Sequence, residues 1–266
     1  MARHTGRLRL IAAFAAGVTA WEALVHASLL ANRSAPTLFG IRLVPRLNAI
    51  QTLIPAATSV VLARYAFGGR DRPPALFRLL ARRVLGADLG LVRDSVLASA
   101  DRQYEKLAPK IAMAVTPGGR LEMRTSAYLL ALFRAMRAAG ISEDRAYASL
   151  SRAFFQVMRR VWQLPDAIVP PVLSPMTRTK LQARMARALV FRDPDWAMRE
   201  IAWDGRFGLD VTRCVLRDFF ASEGAERLCD AVVCRQDVLM ADERGVRFTR
   251  TGTLARGDAR CDFRYG

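Results

Sequence analysis

Between residues 70 and 190, apolar side chains return every three or four positions, the period of helices buried along one stripe. The segment LGLVRDSVLASADRQYEKLAPKIAMAV (89–115) predicts a first helix, which TPGG at 116–119 is expected to break. LEMRTSAYLLALFRAMRAAG (121–140) predicts a second helix stopping at Gly140. EDRAYASLSRAFFQVMRRVWQL predicts a third, with Ser142 as N-cap and Glu143 and Asp144 at the positive end of the helix dipole. The four prolines of LPDAIVPPVLSP (164–175) predict a loop, and a fourth helix is expected over about 176–190.

At residue 193 the period changes to alternation. WAMREIAWDGRFGLDVT (196–212) carries Asp204-Gly205 at its centre, a two-residue hairpin signal. In its outgoing strand Phe207, Leu209 and Val211 share one face, and Gly208, Asp210 and Thr212 the other. RCVLRDFFASEG (213–224) and AERLCDAVVCRQDVLMADERG (225–245) predict helices that end on Gly224 and Gly245. VRFTRTG, the loop TLARGDA and RCDFRYG then predict a closing hairpin, with Cys261, Phe263 and Tyr265 facing the helices and Asp262 and Arg264 facing away. The expected fold class is α+β: a helical part over 70–192, then a module over 193–266 with a largely antiparallel four-stranded sheet and helices packed on one face.

Residues 1–69 have a different pattern. LIAAFAAGVTAWEALVHASLLAN (10–32) is long enough to cross a bilayer, and LNAIQTLIPAATSVVLARYAF (47–67) is uncharged from Leu47 to Ala63. Six arginines between Arg64 and Arg83 follow the second run, which predicts a membrane hairpin with the main domain on the cytoplasmic side. Membrane lipids are then expected partners through 1–69. A pair of core helices in a cytoplasmic protein also fits, favoured by the short second run and by Glu22; a signal peptide would leave the second run unexplained. Glu22 and His26, four apart, share a helical face and suit a buried hydrogen bond or an intramembrane polar site.

The net charge of +17 comes almost wholly from arginine, since the lysines are Lys106, Lys110 and Lys180. The arginines are scattered and not interleaved with aromatics, which argues against a nucleic-acid groove and leaves anionic lipid or an acidic small molecule as partner. His4 and His26 are the sole histidines, so beyond residue 30 no Ser-His or Cys-His pair and no histidine-containing zinc site exists. All four cysteines (Cys214, Cys229, Cys234, Cys261) fall in the last fifth of the chain. Their spacings of 14, 4 and 26 intervening residues lack the two-residue knuckles of a zinc ribbon, which disfavours the alternative of a four-Cys metal site; no cofactor is expected.

TRC at a strand-to-helix junction, LCDAVVCRQD, and RTGTLARGDARCDFRY together resemble the L-2-amino-thiazoline-4-carboxylic acid hydrolase family. The matched residues are Cys214, Cys229 and Cys234 with Asp237, Thr251 and Thr253, Gly257-Asp258, and Cys261-Asp262-Phe263. The resemblance is dense over about 190–266, diffuse from about 75, and absent from the N-terminal apolar runs. It implies ring-opening of a cyclic thiazoline to N-carbamoyl-L-cysteine, a step of bacterial L-cysteine formation. That chemistry needs an activated nucleophile or a base, a donor to the departing sulfur, and a cation for the substrate carboxylate.

With no histidine available, Cys214 and Cys234 are the candidate nucleophiles, and Asp237 and Asp258 the candidate bases. Cys234 and Asp237 share a helical face, and Cys214 lies near a helix start, where the dipole lowers a thiol pKa. Arg213 and Arg250 are candidates for the substrate carboxylate, with Thr251 and Thr253 as further substrate contacts; Cys229, Cys261 and Asp262 are secondary or structural. A cysteine on an amphipathic helix is also simply a small buried hydrophobe. The alternative is a non-enzymatic binding or sensory domain, similar in outline to vinyl-4-reductase-like modules. Convergence of Cys214, Cys234, Asp237 and Asp258 on one polar cleft favours the enzyme; cysteines in apolar packing around a closed cavity favour binding.

Overall fold

The computed structural model describes residues 75–168, 173–204 and 206–266. The expected membrane hairpin and the Glu22–His26 pair lie outside the described residues. Among the described residues no helix is long and apolar enough to cross a membrane.

Helix α1 (Ala75–Leu89) leads through a 3-10 turn at Gly90–Val92 into α2 (Arg93–Leu107), and a second 3-10 segment, Ala108–Met113, leads to α3 (Pro117–Ala138). Ala127 to Leu132 are all buried, so the middle of α3 is enclosed on every side and forms the centre of the helical layer. Phe77, Tyr104 and Phe154 reach this centre and meet edge-to-face: Phe77 and Tyr104 pack on Tyr128 at 5.9 and 5.8 Å, and Phe77 on Phe154 at 5.9 Å.

The TPGG stretch does not break the chain; it begins α3. Thr116 is the N-cap, its Oγ1 accepting from the Gly119 amide at 2.9 Å, and Pro117 takes the first turn, where its missing N–H costs nothing. The carboxylate of Asp195, 2% exposed, accepts from the Val115 amide (2.9 Å), the Thr116 amide (2.8 Å) and the Thr116 hydroxyl (2.6 Å). The glycines permit this approach: a Cβ at position 118 would overlap the Val190 backbone, and one at 119 the Asp195 carboxylate.

Helix α4 (Glu143–Ile168) runs further than expected, with Pro165 in its last turn. A proline this close to a helix end removes one hydrogen bond from a turn that holds few. Helix α5 (Pro175–Leu189) starts on the last of the four prolines, and Ser174 caps it through the Thr177 amide at 3.2 Å.

Strands β1 (Trp196–Trp203) and β2 (Arg206–Cys214) form the predicted hairpin, with Trp203 opposite Arg206 and Asp204 at φ 48° in the turn. Helix α6 (Val215–Ser222) follows and buries Phe219 and Phe220 fully, and Gly224 ends it at φ 61°. The predicted single helix over 225–245 is interrupted: one turn (Glu226–Leu228) opens into a π-helical segment, Cys229–Cys234, before α7 (Arg235–Glu243). Strand β3 (Phe248–Thr249) and β4 (Cys261–Tyr265) close the sheet, whose order is β1-β2-β4-β3 with every pair antiparallel.

Register sets the faces. Leu209 lies opposite Phe263 and Val211 opposite Cys261, so the inner face carries the predicted apolar set. On the outer face Asp210 is buried beneath arginines, with Arg264 at 2.9 Å and Arg260 at 3.5 Å. One hydrophobic core runs from α1 to Cys261, so helices and sheet form one folded layer pair.

Candidate active site

Between the inner face of the sheet and helices α5 and α7 lies a cavity of about 130 Å³. Liquid water occupies roughly 30 Å³ per molecule, so this space has room for a few waters. The sheet contributes Met198, Leu209, Phe263 and Tyr265 as an apolar floor. Helix α7 contributes Gln236, Asp237, Met240 and Ala241, the i, i+1, i+4, i+5 stripe of one helical face. Helix α5 contributes Thr179, Ala183 and Arg187, each four residues from the last, and Arg244 follows α7. The walls therefore hold two arginines and one carboxylate.

Asp237 is the acidic group of the cavity. Arg250 Nη1 donates to its Oδ2 at 2.8 Å and to the Cys234 carbonyl at 3.2 Å, and the Arg250 guanidinium lies over the Phe263 ring at 5.6 Å. The arginine side chain is 8% exposed, whereas Asp237 retains 36% of its surface while lining the cavity. Desolvation pushes the Asp237 carboxyl up to about 6, against the opposing pull of Arg250. Burial likewise raises the Tyr265 phenol above its ordinary value, with the Asp237 charge adding to it, so Tyr265 stays protonated across the physiological range.

None of the four cysteines lines this cavity. Cys229 and Cys234 bring their sulfurs to 4.0 Å, and Cys214 and Cys261 lie close enough to Cys234 for its charge to be felt. Burial pushes the Cys214 thiol up to about 12, outweighing the Arg217 and Leu216 amides at the start of α6, which pull it down as the sequence position suggests. Cys229 is driven well up by its contact with Cys234 and by burial. Cys261 is pushed up to about 11 by burial, although the Leu254 amide donates to its sulfur at 3.3 Å. Among the described residues no group of three or more His, Cys, Asp or Glu side chains is placed to hold a metal ion.

The remaining candidates stand apart. Asp258 is exposed and accepts from the Thr253 amide at 2.7 Å, holding the loop before β4. Asp262 accepts from the Thr251 amide (2.8 Å), the Thr251 hydroxyl (2.5 Å) and the Gly252 amide (2.6 Å). Partial burial would raise its carboxyl, but these hydrogen bonds outweigh it and hold the group below the usual carboxylate value. Thr253 is buried, and Arg213 is exposed on the strand end. The structure thus joins Asp237 with Arg250, but of the predicted site residues Asp237 alone lines the cavity: the candidate nucleophiles Cys214 and Cys234 do not, nor do Asp258, Asp262, Thr251, Thr253, Arg213 or Arg250.

Sequence reasoning missed Arg187, Arg244, Gln236 and Thr179. The signal available for α5 was the four-residue repeat Thr179-Ala183-Arg187, a polar-ended stripe on an otherwise ordinary amphipathic helix. A wider cleft of about 1060 Å³ opens at the N-terminus of α5 and carries Lys180 and Arg184, but Glu200 pairs with both. No predicted site residue lines it.

Helices packed on one face of an antiparallel sheet, with a small, mainly apolar cavity between the two layers, define an α+β domain. The model of the L-2-amino-thiazoline-4-carboxylic acid hydrolase family matches residues 120–265, and the chain belongs to that family. The match begins at Arg120, in the first turns of α3, and takes in the whole sheet and cavity. Searches of curated proteins and of solved structures find no match.

Proposed function

We propose that the chain is a hydrolase that opens a small, anionic cyclic amidine such as a thiazoline carboxylate, with Asp237 as general base. The observation that carries this reading is the placement of Asp237 on the cavity wall. Its carboxyl is raised to about 6, so it is ionised at neutral pH yet basic enough to accept a proton. Water, deprotonated by Asp237, attacks the ring carbon between nitrogen and sulfur. The carbon–sulfur bond then breaks: the proton Asp237 took from water passes to the departing sulfur, and the remaining hydroxyl proton moves to the ring nitrogen as the carbonyl forms. Arg244 lines the cavity and suits the substrate carboxylate, and Arg187, whose Nη2 donates to the Met198 carbonyl at 3.0 Å and whose Nη1 lies 3.8 Å from Glu200, adds positive charge to the same wall. Arg250 is engaged with Asp237 and the Cys234 carbonyl, so it holds the base in place rather than binding the substrate carboxylate.

Incubation of the full chain with L-2-amino-thiazoline-4-carboxylate, with release of free thiol followed over time, tests the reading. The expected result is steady thiol release that depends on folded protein. Absence of turnover by well-folded chain, with the compound still binding, would favour the second reading, a non-enzymatic binding domain. The specific observation for that alternative is that Cys229 and Cys261 are buried in apolar packing and Asp258 lies outside the cavity.

The apolar segments of residues 1–69 are proposed to hold the domain at the cytoplasmic face of a membrane, on the strength of their length and the arginines that follow them. The full chain is expected to sediment with membranes, and a chain lacking 1–69 to stay in the supernatant. Equal partitioning of both would overturn the anchor.

A further inference from the structure

The π-helical segment makes a pair that neither an α-helix nor the sequence spacing would make. In an α-helix residues five apart point to different sides, because the turn closes at 3.6 residues. In a π-turn the backbone closes from i to i+5, so residues five apart stack over one another. Cys229 and Cys234 are the first and last residues of the π segment, and their sulfurs meet at 4.0 Å. A π-turn inside a helix is rare and recurs at functional sites.

We propose that Cys229 and Cys234 are an oxidisable dithiol that closes a reversible disulfide across the π-turn. The two sulfurs are in contact at 4.0 Å, and a disulfide needs them to close to roughly 2.0 Å. The two thiols also differ in access: Cys234 is half-buried and Cys229 is 1% exposed. That asymmetry assigns the order of events with a peroxide as oxidant. The Cys234 sulfur attacks hydrogen peroxide, the O–O bond breaks, and sulfenic acid and water form. The Cys229 sulfur then attacks the Cys234 sulfur and expels the second oxygen as water. Overall, two thiols and one peroxide give one disulfide and two waters.

The modification would act on a sensitive part of the molecule. The Cys234 carbonyl accepts from Arg250, which donates to Asp237 at 2.8 Å, and Asp237, on α7, follows Cys234 by three residues. The proposal itself rests on the thiol geometry and is independent of the hydrolase reading.

Trypsin places the cysteines on separate peptides, apart from the pair in question: Leu228–Arg235 carries both Cys229 and Cys234, Cys214–Arg217 carries Cys214, and Cys261–Arg264 carries Cys261. The reduced, folded full chain is treated with hydrogen peroxide, then unfolded, alkylated and digested. The expected result is a Leu228–Arg235 peptide lighter by two hydrogens and without alkyl groups, with Cys214 and Cys261 alkylated, and full reversal by dithiothreitol. In the Cys229→Ser chain, Cys234 lacks its partner and is expected to accumulate as a sulfenic acid that dimedone captures. Four alkylated thiols after peroxide, a linkage from Cys234 to Cys214 or Cys261, or direct passage of Cys234 to sulfinic acid in the unsubstituted chain would each overturn the proposal.

Discussion

Replacing Asp237 by Asn is expected to lower kcat/KM for thiazoline opening by about 10²- to 10⁴-fold, the usual contribution of a positioned general base. Asn preserves the shape of the side chain and an acceptor for Arg250, so the pair at 2.8 Å loses charge and keeps its geometry. The pH dependence separates this loss from a misfolded site. In the unsubstituted chain the base is active only when ionised, so the rate should rise with pH through about 6 and level off above it. The Asn variant should lose that acidic limb and retain a flat, low profile. An Asn variant with the same rate and the same limb would remove Asp237 from the mechanism. Stability carries the opposite sign. The folded-state pKa is raised, so folding is favoured most while the carboxyl is protonated. That advantage is complete below the ordinary value of 3.8 and is lost as pH rises through about 6. The site is therefore ionised for chemistry in the pH range where ionisation costs the fold something, a trade common at active sites.

What the sequence made visible follows the range of the forces involved. The Asp204-Gly205 hairpin, the helix ends at Gly224 and Gly245, and the alternation of Phe207, Leu209 and Val211 depend on neighbours along the chain, and all appear in the structure. TPGG was misread because Pro-Gly-Gly is loop-like by local preference, and what makes it a helix start is a carboxylate about 80 residues later in the chain. The π segment was invisible for a related reason: α- and π-turns share nearly the same apolar pattern over six residues, and only packing distinguishes them. The site divides in the same way. Asp237 stood out by its helical spacing from Cys234, but its pairing with Arg250 and the wall supplied by α5 arise from tertiary packing. Asp258 and Asp262 looked equally chemical in sequence. Both spend their oxygens on amide donors of the loop before β4, a role that polar spacing alone does not distinguish from catalysis.

The largest expected effect on stability lies away from the cavity, at Asp195. Its carboxylate is 2% exposed and accepts three hydrogen bonds at the start of α3, the most buried helix of the layer. Hydrogen bonds to a charged group contribute roughly 1.5–3 kcal/mol each, and these three share one acceptor and so do not add fully. Asp195→Ala is therefore expected to cost about 3–4 kcal/mol, a large fraction of the roughly 5–15 kcal/mol typical of a folded domain. In urea the midpoint should fall with the slope unchanged, since the same surface is exposed on unfolding. Asp195→Asn retains one acceptor oxygen and should lose about half as much. Gly119→Ala supplies the control. Its Cβ would occupy the place of the carboxylate, so it should destabilise by displacing Asp195 with the acid still present. Because both substitutions break one contact, the double variant should cost little more than Asp195→Ala alone. Full additivity of the two would show that the glycine and the carboxylate act separately, and an unchanged midpoint in Asp195→Ala would show that the start of α3 is held by Thr116 and Pro117 without it.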